Sequence, residues 1–465
     1  MKIYNTLSKK IEEFIPNEEG KVKMYTCGPT VYHYAHIGNL RSYIFEDILE
    51  KGLEYIGYDV TRVMNITDVG HLTSDGDSGE DKMAKGAKRE GKTVYEIAEF
   101  YTNAFFDDMN SLNIRKPAII EKASDHITTY IQMIEKLLEK GYAYLSSGNV
   151  YFDISKAKDY YKLSGKNPDD LIVGVRDTVE EDKSKKNPYD FVLWFTVSKF
   201  ENQDMKWDSP WGVGYPGWHI ECSGISYEKL GEYLDIHCGG VDNIFPHHTN
   251  EIAQSEAFIG HKWCNYWCHG AHLNDETGKM SKSKGEFLTV DLLKKKGYSP
   301  LDYRYFCLNS HYRNSLVFNY DSLTSAKNAL TKLRNRVLSL DRSGDIKMEA
   351  FNSYKKKFGE AFGNDINTSL MLTVVYDVLK DENLNEATKF IIIEDFDRVL
   401  SLDLTIKIEK QIDSVMKEEI LRKIDERREA KKDKNFELAD KIRDELLSKG
   451  VKLIDTRDGT NYELV

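Results

Sequence analysis

Residues that could handle phosphate chemistry occur at two places in this chain. At the first, an apolar run ending at Cys27 is broken by Gly28 and Pro29, and from Leu40 apolar residues recur at helical spacing through Ile44, Phe45, Ile48, Leu49 and Leu53. Between them lies His36-Ile37-Gly38-Asn39. A strand, turn and helix in that order point the free amides and positive dipole end of the helix at the loop, where an anionic phosphate can be held. His36 and Asn39 add side-chain donors, and Gly38 has no side chain to keep an adenine ring away. The second place is Lys279-Met280-Ser281-Lys282-Ser283, with its two lysines three apart, flanked by hydroxyls, in a loop bounded by Gly278 and Gly285. Cations there can meet the negative charge that grows on phosphate oxygens when a phosphorus centre is attacked and its leaving group departs.

Metal-ligating residue types are present without a compact metal motif. His247 and Glu251, four apart, share a face of a helix starting near Pro246. On spacing alone Cys27 reads as a core cysteine at the end of a buried strand. Cys264 and Cys268, four apart beside Trp263, Trp267 and His269, have no second pair at suitable spacing and read as buried apolar cysteines; Cys238 and Cys307 read as core. Gly86 to Thr93 fits the P-loop pattern letter for letter, yet the residues before it, Glu80 to Lys85, are charged and helix-forming where a working P-loop needs a buried strand. The better reading is that Gly91 ends one helix and Thr93, with Glu96, caps the next.

The elements that would position these groups can be read in outline. Val22 to Cys27 and Asp59 to Met64 form strands around the helix that begins near Leu40, a βαβ unit of the nucleotide-binding type. Asn65-Ile66-Thr67-Asp68 follows the second strand, where parallel sheets place ligands, and Leu72 to Asp81 is a polar, Gly-rich insertion. Helical spacing covers Val94 to about Leu112 and about Asp125 to Lys140. Short strands and turns follow from Gly141 to Lys206, with a charged run at Glu180 to Lys186 that reads as a solvated loop. The sheet resumes at Tyr233 to Cys238, closed by Gly239 and Gly240. From Thr289 to Lys449 the pattern is helical, with Ala326, Ala329, Leu330, Leu333, Val337 and Leu340 a bundle stripe, and Gly450 to Leu464 reads as a hairpin.

Composition narrows the class. A chain of 465 residues with 40% hydrophobic and 30% charged residues reads as globular and multidomain. Its N-terminus has no apolar core of signal-peptide length and no run could span a bilayer, so the cytoplasm is the expected compartment and no membrane partner is expected. Six cysteines without an export signal read as thiols or metal ligands. A formal net charge of −11 argues against indiscriminate nucleic-acid binding.

His36-Ile37-Gly38-Asn39 and the Lys279–Ser283 pentapeptide resemble the two signatures of class I aminoacyl-tRNA synthetases, in the right order. Thr26 to Tyr32, Pro216 to Ser223 and Phe245 to Glu251 are similar to the corresponding stretches of the cysteinyl branch of that class, and the resemblance covers nearly the whole chain. It implies an α/β fold: a Rossmann-like parallel-sheet catalytic domain (1–120 and 207–270) with a connective insertion (121–206). A region around the second signature (271–320), an all-α bundle (321–405) and a small mixed anticodon-binding domain (406–465) would follow. It implies Zn2+ on Cys27, Cys222, His247 and Glu251, one per subunit, and Mg2+ with ATP. It implies His36, Asn39, Lys279 and Lys282 as catalytic residues, with Gly38, Asp242 and Lys282 on ATP and Thr67, Trp218 and His237 around L-cysteine. Two thiolates, an imidazole and a carboxylate are all zinc ligands, and zinc prefers a thiolate to a hydroxyl, which would separate cysteine from serine without an editing domain. The implied reaction joins L-cysteine to tRNA-Cys through cysteinyl-AMP; a monomer is the expectation, though nothing in the sequence fixes the oligomeric state. The rival readings are a cysteine ligase with a small amino-sugar acceptor and a non-catalytic tRNA-binding paralogue. Members of the family often carry histidine where Asn39 stands and tryptophan where Tyr462 stands. The basic run from Arg422 to Lys434, interrupted by acids, reads as a solvated helix face on composition and as a tRNA contact by resemblance.

Overall fold

The computed structural model describes residues 1–69, 82–166, 185–197, 205–275, 278–279, 287–407, 414–448, 451–456 and 459–464. Met1–Thr405 and Ile406–Val465 form two compact units. The first is built on a five-stranded sheet: β1 (Lys21–Thr26), β2 (Asp59–Ile66), β3 (Ile119–Lys122), β4 (Leu234–Gly240) and β5 (Cys264–Gly270). All neighbours are parallel, in the order β5-β4-β1-β2-β3. Strand order reverses between β1 and β4, so the connections leaving their carboxyl ends part and open a crevice.

The β1-to-β2 crossover is helix α1 (Ile37–Tyr55), which begins three residues ahead of its first periodic apolar residue, Leu40. Its N-cap is His36, whose Nδ1 accepts the Asn39 amide at 3.2 Å, while Asn39 Oδ1 accepts the His36 amide at 3.4 Å. Apolar periodicity reports only the buried face, so a start made by polar caps lies outside its view. After β2 come α2 (Lys82–Glu90) and α3 (Val94–Ser111). Gly91, at φ +65°, separates them, and Thr93 and Glu96 form the expected capping box. The P-loop reading fails here, because Gly86 lies inside a helix.

Between β3 and β4 the chain inserts a helix, Ile127–Glu139, and an antiparallel sheet of Ala143–Ser146, Asn149–Phe152, Phe191–Phe195 and Tyr215–Pro216. It then returns through α4 (Trp218–Leu230), β4 and α5 (His247–Ile259) to β5. Two features go beyond the sequence reading. An N-terminal hairpin, Lys2–Asn5 with Lys10–Glu13, packs beside β5, where Asn5 Oδ1 accepts the Trp267 amide at 3.1 Å. Strand β4 runs on through Gly239 and Gly240, which pair with His269 and Gly270 of β5 instead of closing it.

Helices follow from Val290–Lys295 to Glu386–Leu400, and their core is continuous with the outer face of α1. Of the bundle stripe, Ala326, Leu330, Leu333 and Val337 are buried, and Ala329 and Leu340 pack against them. The second unit holds helices Ser414–Lys432 and Phe436–Ser448 and a hairpin of Val451–Thr456 with Gly459–Leu464, around Ile420, Ile442, Leu446 and Val451.

A buried ionic knot joins α1 to the helices. Arg304 Nη2 donates to Asp47 Oδ2 at 2.6 Å, and its other donors reach the carbonyls of Leu400 and Leu112 at 2.8 and 3.0 Å. Lys51 Nζ donates to the same carboxylate, to the Asn113 carbonyl and to Ser401 Oγ at 2.8, 2.9 and 2.8 Å. Burial works to raise the Asp47 carboxyl, but the two cations outweigh it and hold it below the usual range; burial pushes Lys51 down to about 8. Asp47→Ala would leave both cations buried and uncompensated, an expected loss of about 3–5 kcal/mol. It would be read as a lower urea midpoint; an unchanged midpoint would show that the knot does not carry the junction.

Candidate active site

Cys27 follows β1 at the point where strand order reverses. The loop after it is drawn onto β2: the Gly28 amide donates to Asn65 Oδ1 at 2.8 Å, and a Cβ at Gly28 would sit 1.5 Å from the Asn65 carbonyl oxygen. Cys222 comes from the second turn of α4, His247 opens α5, and Glu251 lies one turn further on. One ligand atom from each of these four lies within 4.8 Å of all the others. His247 Nε2 is 3.4 Å from Cys222 Sγ and 3.0 Å from Glu251 Oε1.

Glu251 is fully buried; its Oε2 lies 3.0 Å from His237 Nε2, and its Oε1 makes no hydrogen bond of proper geometry. Burial raises the Cys27 and Cys222 thiols and pushes Glu251 up to about 8 against the pull of His247. Two thiols, an imidazole and an under-satisfied carboxylate held this closely are compatible with a metal site. Cys27, His237, His248 and Glu251 form a second, overlapping set. Burial holds His237 down to about 3 and lowers His248 as well, so both rings are neutral. His248 Nε2 lies 3.2 Å from Cys27 Sγ, its Nδ1 lies 2.8 Å from His269 Nε2, and His269 Nδ1 lies 2.8 Å from Thr6 Oγ1. This row of histidines was missed in the sequence, where its signals were the His247-His248 pair and His269 next to Cys268.

A cavity of about 770 Å³ opens over the cluster. Cys27, His36, Gly38, Asn39, Trp218, Asp242 and His247 all line it. The Trp218 ring lies 4.3 Å from that of His247, and Asp242 Oδ1 lies 3.5 Å from His272 Nε2. The other expected residues stand elsewhere. His237 holds Glu251 from β4, and Thr67 donates to Glu221 Oε2 at 3.2 Å and accepts from Asn65 Nδ2 at 3.0 Å, behind the lining. Lys279 ends the short strand Gly278–Lys279, which pairs with Leu273–Asp275; Lys282 and the Leu72–Asp81 insertion lie outside the described residues. A pocket of this size, apolar in part with converging donors, suits a nucleotide and a small second substrate.

Residues 13–328 match the family described as the catalytic domain of class I (C) tRNA synthetases. The whole chain aligns with 99% of the cysteine–tRNA ligase of Treponema denticola at 48% identity, and with 99% of that of Borreliella burgdorferi at 46%. The chain belongs to the cysteine–tRNA ligase family. A methionyl-tRNA synthetase of Mycobacterium tuberculosis, solved in complex with methionyl-adenylate, has the same fold, with a TM-score of 0.55 over 83% of this chain and 91% of that one at 15% identity.

One cavity residue of this family member carried no signal in the sequence. Glu46, on α1, is buried, lines the cavity, and has no hydrogen bond to either carboxylate oxygen. Burial pushes it up to about 8, Arg62 pulls it back and Glu50 adds to the rise. Between its ordinary value near 4.5 and about 8 the folded protein keeps a proton that the unfolded chain has lost. Stability therefore falls as pH rises through that window, by up to about 1.4 kcal/mol per pH unit. Glu46→Gln is expected to lower the urea midpoint less than the parent does between pH 6 and 8; equal losses would show that Glu46 is ionised in the fold.

Proposed function

We propose that this chain activates L-cysteine with Mg2+-ATP to cysteinyl-AMP, releasing pyrophosphate, and passes the cysteinyl group to the 3′-terminal ribose of tRNA-Cys. The observation that carries this reading is that the thiol, imidazole and carboxylate cluster and the amino end of α1 meet in one cavity. In this reading a thiol-selective centre stands beside a phosphate-binding one. In this reading Zn2+ is held by Cys27, Cys222, His247 and Glu251. When bound, it supplies a soft centre that takes a thiolate in preference to a hydroxyl.

The chain's own residues do the rest by positioning and charge, with no covalent intermediate on the enzyme. Trp218 walls the amino-acid end, His237 fixes the Glu251 carboxylate, and Thr67 ties the end of β2 to α4. His36, Gly38 and Asn39 meet the phosphates at the α1 terminus, and Asp242 takes the ribose hydroxyls. Asn39 donates without becoming cationic. His36 and Asn39 now satisfy each other's amides, so a phosphate would exchange the reciprocal cap for its own hydrogen bonds. Lys279 and Lys282 close on the phosphates as charge builds there. The second unit would hold the anticodon, and the enzyme would act as a cytoplasmic monomer.

Pyrophosphate exchange into ATP without tRNA, run against cysteine, serine and other amino acids on zinc-assayed protein, checks the first half of the reaction. Exchange with cysteine alone, at one zinc per chain, is the expected result; none from folded, zinc-loaded protein would overturn the reading. Removing even an outer partner of a metal site costs about 10–100-fold in affinity. Cys222→Ser is therefore expected to lose at least that much zinc affinity, and the exchange with it; full zinc and full activity in that variant would move the metal elsewhere.

A further inference from the structure

The mouth of the cavity carries an aromatic and basic surface that adenylate formation does not use. Tyr34 and Tyr101 line the cavity, and Phe100 meets both edge-on, with ring centroids 6.1 and 5.1 Å away. His33 lies parallel to Tyr101 at 5.9 Å and meets Phe287 edge-on at 4.6 Å. Phe287 is the first described residue after the Lys282 loop. Tyr34, Phe100 and the nearby Tyr95 are 42%, 40% and 59% exposed. Helix α3 buries Val94, Ile97, Ala98 and Tyr101 on its inner side and leaves Tyr95 and Phe100 exposed.

Beside these rings lies a basic stretch, with Lys92 over Phe100 and Arg89 on Tyr101. Lys82, Lys85, Lys88, Arg89 and Lys92 stand against one acid, Glu90, in a chain of formal net charge −11. Helix α2 is fastened to the cavity loop: a Cβ on Gly86 would come within 3.1 Å of the Tyr32 carbonyl oxygen, and Arg89 donates to that carbonyl at 3.2 Å and to the Tyr101 hydroxyl at 3.1 Å. Lys92 Nζ stands 4.4 Å over the Phe100 ring, and Lys88 is exposed. Partly exposed rings interleaved with cations suit a single-stranded polyanion, whose bases stack while its phosphates meet the charges. A duplex has its bases already stacked on one another and offers no face to such rings.

We infer that Tyr34, Phe100 and the basic side of α2 form a shelf that receives the unpaired 3′ nucleotides of an RNA on their way into the cavity. The identity of that RNA rests on the proposed function; the shelf adds the route by which its end arrives. Charge complementarity and continuity with the cavity wall select this occupant over an apolar protein partner.

The test is fluorescence anisotropy with two labelled hairpin RNAs, one carrying a short unpaired 3′ tail and one blunt, titrated into the full-length parent, Phe100→Ala and Lys92→Ala. Both side chains are exposed and outside the cavity lining, and circular dichroism with cysteine-dependent exchange confirms that each variant is intact. Phe100→Ala is expected to weaken the tailed hairpin about tenfold and leave the blunt one unchanged. It should raise KM for tRNA in aminoacylation by a similar factor with tRNA-free exchange unchanged. Lys92→Ala should weaken binding and reduce the slope of log affinity against log salt by about one. Equal affinity of parent and Phe100→Ala for the tailed hairpin, or an equal loss on both hairpins, would overturn the shelf. Tail-dependent binding through Phe100 in a parent that shows no exchange would uphold the shelf and place the failure in the proposed function.

Discussion

Glu251 is a carboxylate carried to the centre of the protein, and what surrounds it decides what the site can be. Water would solvate both its oxygens; here His237 meets one and the other is left under-satisfied among thiols and imidazoles. Such a group either keeps its proton or is compensated by a cation. Its place depends on the register of two helices. Gln254 on α5 donates to the His219 carbonyl and to Ser223 Oγ at 2.6 and 2.7 Å, and Ser255 donates to Ser223 Oγ at 2.8 Å. Those buried contacts lock α5 onto α4 and so bring His247 and Glu251 against Cys222. The polar seam between the helices is the positioning device, and the cluster is its consequence.

Helix α1 does for the facing wall of the cavity what that seam does for the cluster. Its amino end, Asn39, Ser42, Tyr43 and Glu46 form one cavity wall, while Asp47 and Lys51 on the far side are tied to Arg304 and the residues after Leu400. Further along, Gly52 lies so close to the Phe362 ring that a Cβ would meet it at 2.1 Å. The helix is thus fixed at its middle and tail by the helical region, leaving only its first turn to answer to a ligand. A phosphate held there would meet a first turn whose backbone position is set by packing far from the site, so that only the His36–Asn39 cap would have to change.

Local chemistry was legible in the sequence and assembled chemistry was not. Thr93 and Glu96 could be read as a cap because both partners lie within one turn, and β1, α1 and β2 because apolar runs and stripes report burial directly. Strand β5 was hidden because Cys264 to Gly270 mixes rings, thiols, a histidine and a glycine with no clear period. Spacing could not give the Cys27, Cys222, His247 and Glu251 set, since a strand end and two later helices bring those residues together; the resemblance to the synthetases supplied it. Glu46 escaped for the opposite reason, because an acid in a helix reads as a solvent-facing residue until its surroundings are known.

The same distinction sorts the basic run of the second unit. Arg427 is buried and donates from both terminal nitrogens to Asp455, at 2.7 and 3.0 Å, and Lys431 joins the same carboxylate at 2.9 Å. Hydrogen bonds from Arg427, Lys431 and Thr460 hold the Asp455 carboxyl well below its usual range, so this group fastens the helix to the hairpin. Among the described residues, Arg428 and Lys432 make exposed pairs with acids within a turn, Asp425 and Glu429. They face a groove that also holds Gly459, Thr460 and Asn461. Exposed pairs of this kind are weak and screened by salt, and a phosphate can replace the acid at little cost. Composition weighs all seven cations alike, whereas the fold commits Arg427 to structure and leaves Arg428 and Lys432 able to change partners.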